Sequence, residues 1–448
     1  MLNCKNILKV TAAVFFFLGA CWAMSASSLW AQDFLERMEI PSSANPVGSG
    51  ARALGMGGAF ISIADDATAA SWNPGALIQL EKPELSIVLG HVSRIEDNSF
   101  GGAPEANGEE SVDFSSLNYL SAAYPFTVAG RNMIVSLNYQ HLYDFNREWD
   151  FMLNSTDPIF TSPIDYHYDQ DGGLYALGLA YCVQITPAFS LGMTVNYWGD
   201  AIENKWEQSY HQTWQVNLGG IGGIMSAVKN DEYEFSGWNA NLGFLWRLTG
   251  KLTLGGVFKT PFTADIDHKV SLENQSTFPT EPAYNSTTRT KATYDEELTL
   301  PMSYGIGISY RFNDAFTIAA DLYRTQWEDY EYKDAQGRKS SPITGGAAGD
   351  VDATTWVRMG AEYAFIGPQY TVPVRAGLFY DPAPQKGSPD DIYGVSLGSG
   401  IVLYEKFAFD IAYQYRFGSD VGQGTLTGAD FSQDISEHTV YSSFIVYF

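Results

Sequence analysis

From about residue 84 onward, apolar and polar positions alternate along the chain. In 302–311 every even position is apolar (Met302, Tyr304, Ile306, Ile308, Tyr310). The odd positions are Ser303, Gly305, Gly307, Ser309 and Arg311. In 407–417 the apolar face is Phe407, Phe409, Ile411, Tyr413, Tyr415 and Phe417, and the other face is Ala408, Asp410, Ala412, Gln414 and Arg416. The stretches 133–140 and 238–244 repeat the rhythm. A period of two puts successive side chains on opposite faces of a strand. Fourteen such segments are predicted: 84–93, 114–124, 131–145, 172–183, 188–201, 233–247, 251–270, 291–311, 315–328, 354–365, 371–380, 391–402, 405–417 and 436–448. Short connections (Leu248-Thr249-Gly250, Phe312-Asn313-Asp314, 184–187) alternate with long ones (94–113, 146–171, 202–232, 329–353).

A soluble β-sandwich also alternates, but its strands are usually five or six residues long. These run to about ten, the length of a tilted membrane-spanning strand. Past the leader no run approaches the roughly 20 apolar residues of a spanning helix, and only helices and closed barrels satisfy every backbone group in lipid. One face of each strand is small and polar, like a lumen, while aromatics gather near strand ends. Short turns on one side and long loops on the other are a barrel signature, and an even strand count puts both termini in the periplasm. The fold class is therefore all-β: a transmembrane antiparallel β-barrel of about fourteen strands with an N-terminal plug, or hatch, in the lumen.

Composition agrees. Charged residues are 17% and apolar residues 45% of the 448, and aromatics reach 15%, suiting rings that sit at a membrane–water boundary. The net charge of −25 excludes a nucleic-acid partner, which would need cations to displace phosphate counterions. Residues 1–31 read as a secretory signal: Lys5 and Lys9, an apolar run from Val10 to Met24, then small residues, with cleavage after Ala31. Its removal takes two lysines and no acids, so the mature chain is more acidic still. Leu18-Gly19-Ala20-Cys21 resembles a lipidation box that would place a lipid on Cys21. The apolar stretch continuing past it favours the later cut. Of Cys4, Cys21 and Cys182, only Cys182 lies outside the leader, so there is no disulfide framework. Three units follow: signal 1–31, hatch 32–82 and barrel 83–448, in the bacterial outer membrane among lipid and lipopolysaccharide. The alternating last strand ends in Phe448, which resembles the signal read by the outer-membrane barrel assembly machinery.

Residues 32–82 do not alternate. Asn45-Pro46, Gly48, Gly50, Gly55, Gly57 and Gly58 open a small-residue stretch that runs through Ala64-Asp65-Asp66-Ala67 to Asn73-Pro74-Gly75-Ala76-Leu77. A barrel of this size encloses more space than its own side chains fill, so this segment is expected inside it, with Asp65 and Asp66 anchored to lumen cations such as Arg358 or Arg416. The glycine-rich start, the Ala-Asp-Asp-Ala core and Asn73-Pro74 resemble the hatch of the FadL/TodX family, outer-membrane transporters of long-chain fatty acids and aromatic hydrocarbons. Asn-Pro-Gly stands here where the family has Asn-Pro-Ala. The resemblance implies a hatch that blocks the lumen, gating by Gly55, Gly57, Gly58, Asp65, Asp66, Asn73 and Pro74, an apolar pocket nearby, and lateral release through a kinked wall. A similar start occurs in PorV-type barrels that serve protein secretion, which is the alternative.

Aromatics in the long connections fit capture of a hydrophobic small molecule or, equally, packing over the barrel mouth. Phe151, Met152, Ile159 and Phe160 lie in one; Trp206, Tyr210, Trp214, Leu218, Ile221, Ile224 and Met225 lie in another. The apolar run 218–225 favours a capture surface. Six histidines are scattered, and no metalloprotease or serine-hydrolase motif occurs. Asp169-Gln170-Asp171-Gly172 echoes a calcium loop but lacks the later Glu, and reads as an acidic external turn. No catalytic residue, metal ligand or cofactor is assigned.

Overall fold

The computed structural model describes residues 48–155, 159–199, 206–423 and 430–448. The predicted leader and its expected cleavage site fall outside the described residues.

The chain enters the wall in β1 (Glu84–Phe100), returns in β2 (Gly108–Val128) and rises again in β3 (Arg131–Asp144). A hairpin beyond the wall follows, β4 (Arg147–Leu153) and β5 (Ile164–Asp171). β6 (Gly173–Thr186) and β7 (Phe189–Gly199) are wall strands. β8 (Trp206–Leu218) turns through Gly219 and Gly220, both at positive φ, into β9 (Ile221–Arg247), as a two-residue hairpin requires. β9 runs for 27 residues; its first half pairs with β8 outside the barrel and its second half with β7 in the wall. β10 (Leu252–Lys259) is wall, β11 (Phe262–Thr277) and β12 (Ser286–Leu300) are external, and β13 (Ser303–Arg311) and β14 (Phe316–Thr325) are wall. Two short external strands, β15 (Glu331–Lys333) and β16 (Lys339–Ser340), precede the last wall strands: β17 (Thr354–Ile366), β18 (Tyr370–Tyr380), β19 (Tyr393–Leu403), β20 (Phe407–Val421) and β21 (Phe431–Tyr447).

The wall strands pair antiparallel in sequence order, and β21 pairs with β1, which closes a barrel of fourteen strands. Its outer face is apolar: Leu85, Leu137, Leu179, Met359, Leu378 and Leu397 are exposed, a state stable only against lipid. Aromatics frame this band. Trp238 and Trp246 do so on β9, Tyr304 and Tyr310 on β13, and Phe407 and Phe417 on β20.

Each predicted strand corresponds to one wall strand, with two corrections. Segment 251–270 is two strands, because Thr260-Pro261 takes the chain out of the wall between β10 and β11. Segment 291–311 is also two, broken at Pro301 between β12 and β13. Proline lacks the N–H a ladder needs. The predicted long loops are also largely strand. β1 and β2 continue through 94–113, and 146–171 and 202–232 supply β4, β5, β8 and the start of β9. These pair in the order β4-β5-β8-β9-β11-β12-β15-β16 as an external sheet. Its inner face is aromatic, with Trp149, Tyr166, Tyr210, Trp214 and Phe278 packed with Phe100 and Phe431 of the barrel rim. Asp169-Gln170-Asp171 is the end of β5, not a turn.

Candidate functional site

Residues 48–82 meet inward-facing side chains of strands all around the wall, so the segment occupies the bore. It is short on regular structure: α1 (Ala51–Gly55), α2 (Ala69–Trp72) and a 3₁₀ turn, Pro74–Gln79. Met56, Phe60, Ile61, Trp72 and Leu77 form a buried core with inward-facing wall residues. The segment also seats its backbone on the wall.

The seat is a row of glycines. Gly192 on β7 opposes Gly243 on β9, Gly255 on β10 opposes Gly307 on β13, and Gly360 on β17 opposes Gly377 on β18. Gly398 on β19 extends the row. A methyl group at Gly192 would stand 2.2 Å from the Pro74 carbonyl oxygen, at Gly360 2.3 Å from that of Met56, and at Gly377 2.2 Å from the Gly57 nitrogen. The wall can carry no side chain here.

Between these contacts lie polar anchors. Asp321 on β14 accepts from the Phe60 and Ile61 amides at 2.7 and 2.9 Å. Ser190 Oγ donates to the Gly75 carbonyl (2.8 Å), Thr194 Oγ1 to that of Ala70 (2.8 Å) and the Tyr119 hydroxyl to that of Ala67 (2.8 Å). Ser396 Oγ donates to the Gly55 carbonyl at 3.1 Å, and Ser443 Oγ accepts from the Ala51 amide at 2.8 Å. Buried backbone groups need such partners, and the wall supplies them.

The residues singled out in the sequence fall as follows. Gly55 packs on Gly398, and Gly57 and Gly58 take positive φ (66° and 75°) in the turn after α1, where other residues are strained. Asn73 is fully engaged. Its amide nitrogen donates to the carbonyls of Ile61 and of Phe244 in β9, both at 2.8 Å, and its oxygen accepts from the Gly75 amide at 3.0 Å. Pro74 starts the 3₁₀ turn where no amide is wanted. Asp66 caps Thr68, accepting from its amide at 2.9 Å and from its hydroxyl; burial pushes its carboxyl above the usual range.

The expected anchoring of Asp65 and Asp66 on Arg358 or Arg416 is corrected. Asp65 pairs with Arg52 of the hatch itself, and Arg52 reaches Glu362 of β17 at 3.0 Å. Arg358 donates to the Gly58 carbonyl at 3.2 Å and stacks 3.8 Å from the Trp356 ring centroid, while Arg416 pairs with Asp381 at 2.9 Å. A local partner reached through a short loop wins over a distant one. Asp321 escaped the sequence reading, although a single acid inside Ile318-Ala319-Ala320-Asp321-Leu322 marks an inward position that needs a partner. Cys182 is buried, its thiol 3.4 Å from the Gly75 carbonyl.

Trp206 and Trp214 are 1% and 6% exposed in the external sheet, and Leu218, Ile221 and Met225 pack partly against its core. Ile224 (47%) and Met152 (53%) face solvent.

Two cavities bear on the hatch. One, of about 100 Å³, lies in the lumen over Leu54 and is bounded by Val92, Phe114, His141, Asp144 and Glu437. Beyond it, buried charge closes the bore: Glu96 pairs with Arg94 at 3.1 Å and Arg147 at 2.9 Å and accepts from Trp149 Nε1 at 2.5 Å. The other, an apolar groove of about 560 Å³, lies on the lipid side of the wall, bounded by Leu191, Met193, Leu242, Phe244, Phe258 and Ile306 and floored by Gly192, Gly243 and Gly256. Asn73-Pro74-Gly75 sits against the opposite side of Gly192 and Gly243.

Three structures with similar folds stand beside this architecture. A FadL homologue of Pseudomonas aeruginosa aligns with a TM-score of 0.60 and 16% identity over 89% of this chain and 98% of its own. The toluene transporter TodX of Pseudomonas putida aligns with 0.59 and 15% over 90% and 100%. The toluene transporter TbuX of Ralstonia pickettii aligns with 0.53 and 14% over 90% and 99%. No curated protein matches the chain by sequence. The profile of the outer membrane protein transport proteins (OMPP1/FadL/TodX) matches residues 43–440, and the chain belongs to that family.

Proposed function

We propose that this barrel lets hydrophobic small molecules, long-chain fatty acids or aromatic hydrocarbons, cross the outer membrane passively, without catalysis. Residues Gly55, Gly57, Gly58, Asp65, Asp66, Asn73 and Pro74 form the gate. The observation that carries the reading is the pairing of a hatch-filled bore with the apolar groove behind Gly192 and Gly243. An open polar porin needs a water-filled lumen, whereas an apolar solute gains about 25 cal/mol for each Å² it buries. The groove falls in the range of about 300–1,000 Å³ typical of small-molecule sites, and only backbone separates it from the hatch. Exposed Ile224 and Met152 offer first contact outside, with buried Trp206 and Trp214 holding the sheet that presents them. Leu218, Ile221 and Met225 line the same hairpin. A PorV-like secretion role gains no observation of its own.

The experiment is uptake of labelled oleate and labelled toluene by cells with and without the gene. Faster entry of either with the gene is expected, and equal rates for both would overturn the reading. In a second arm, Gly256→Trp fills the groove from the lipid side. Reduced uptake with an intact barrel is expected; unchanged uptake would move the exit elsewhere.

A further inference from the structure

On the outward face of the external sheet several acids have a basic partner. Glu297 meets Lys333 at 2.8 Å, Glu273 meets Arg289 at 2.9 Å, Glu331 meets Lys339 at 2.7 Å and Glu232 meets Lys269 at 3.3 Å. At the corner made by β4, β5 and β8 the acids meet other acids and histidine. Register sets Glu148 opposite Asp169 and Asp150 opposite His167, and His167 opposite His211 on the next strand. Among the described residues no Lys or Arg pairs with Glu148, Asp150 or Asp169. The cationic group present is His167, whose Nδ1 lies 2.7 Å from Asp150 Oδ1.

The ligand atoms of Glu148, Asp150 and His167 all lie within 4.8 Å of one another. All three face solvent on paired strands, so small rotamer changes bring them onto one ion. Register also sets Glu148 beside Asp169, so like charges crowd this corner. A divalent cation relieves this repulsion. Imidazole with carboxylates suits zinc and its first-row neighbours, whereas calcium and magnesium prefer oxygen alone.

We infer that Glu148, Asp150 and His167 form a divalent-metal site of the zinc class on the outer surface, with His211 placed to give a fourth donor. An ion there ties β4 to β5 directly and to β8 through His211. It thus clamps the edge hairpin whose other face carries Trp149, Tyr166 and Tyr168 into the packing over the barrel mouth. Sequence spacing gives no sign of it, since Asp150 and His167 stand 17 positions apart and meet only through strand register.

The test uses the full-length protein in detergent and zinc alone, titrated by calorimetry at pH 7.5. One zinc per chain is expected. Its affinity should fall at least tenfold in His167→Ala and in Glu148→Gln, and stay unchanged in Glu273→Gln on the same face. Binding should weaken at pH 5.5, where protons compete for the imidazole, and survive equimolar calcium. Heat-modifiable gel migration verifies that each variant holds a folded barrel. No zinc bound by the unaltered protein, equal affinity in folded His167→Ala, or displacement by equimolar calcium would overturn the assignment.

Discussion

The bore is closed twice, by opposite means. At hatch level, backbone lies on backbone along the glycine row Gly192, Gly243, Gly255, Gly307, Gly360, Gly377, held by short polar anchors. At the outer mouth, large rings and buried ions fill the space, with Trp149, Tyr166 and Phe278 almost wholly enclosed and Glu96 shared between two arginines. The first closure works by removing side chains and the second by interlocking them. The lower closure should therefore fail on added volume, and the upper one on lost volume.

Gly377→Leu is the strongest attempt to break this contrast. The new side chain would begin within 2.2 Å of the Gly57 nitrogen, where backbone blocks relief and cost exceeds the roughly 1–3 kcal/mol of ordinary overpacking. The hatch should unseat, so that residues 51–77 become open to protease in the folded barrel; a hatch that stays protected would show that the wall yields and the contrast is false. Trp149→Ala, which empties a site 1% exposed, should loosen the external sheet by about 3–5 kcal/mol. Protease should then cut the outer strands while conductance stays low, and an open channel here would join the two closures into one.

The smallest effect concerns pH. His268 on β11 lies between Asp231 (2.8 Å) and Glu296 (3.0 Å). Burial pulls its pKa down, but these two carboxylates outweigh it and hold it above the usual value. The stabilisation is full below the ordinary imidazole pKa of about 6.5 and is lost as pH rises through the raised value. Amide protection in β9, β11 and β12, corrected for the intrinsic rise of exchange with pH, should fall from pH 6 to pH 9, and His268→Gln should remove that fall. An equal fall of protection in the hatch would mean the two closures respond as one.

Much of the wall was legible because lipid outside and a polar interior impose the period of two, as in 302–311 and 407–417. The external sheet was not. Its strands alternate just as strictly, as in Ile164-Asp165-Tyr166-His167-Tyr168, but their outward face is charged, and charge next to glycine and proline resembles loop. The breaks at Pro261 and Pro301 carried a usable signal, since a ladder cannot continue through proline. The hatch motif was readable as a local string. Its seat was not, because each wall glycine is one residue in a separate strand and the row exists only after closure. Asp65 illustrates the same limit: its partner Arg52 lies thirteen positions back, a contact set by the fold of the hatch and not by lumen charge.

The glycine row also favours an order of construction. The bond from Ala51 to Ser443 joins positions 392 apart, on the strand whose pairing with β1 shuts the cylinder. Hatch and wall meet with no room for a methyl group between them, so the seat fits best when strands close around a hatch already in place. On that order the hatch waits, folded or held nearby, while the staves are set around it. The final stave then completes the vessel and traps its contents in a single event.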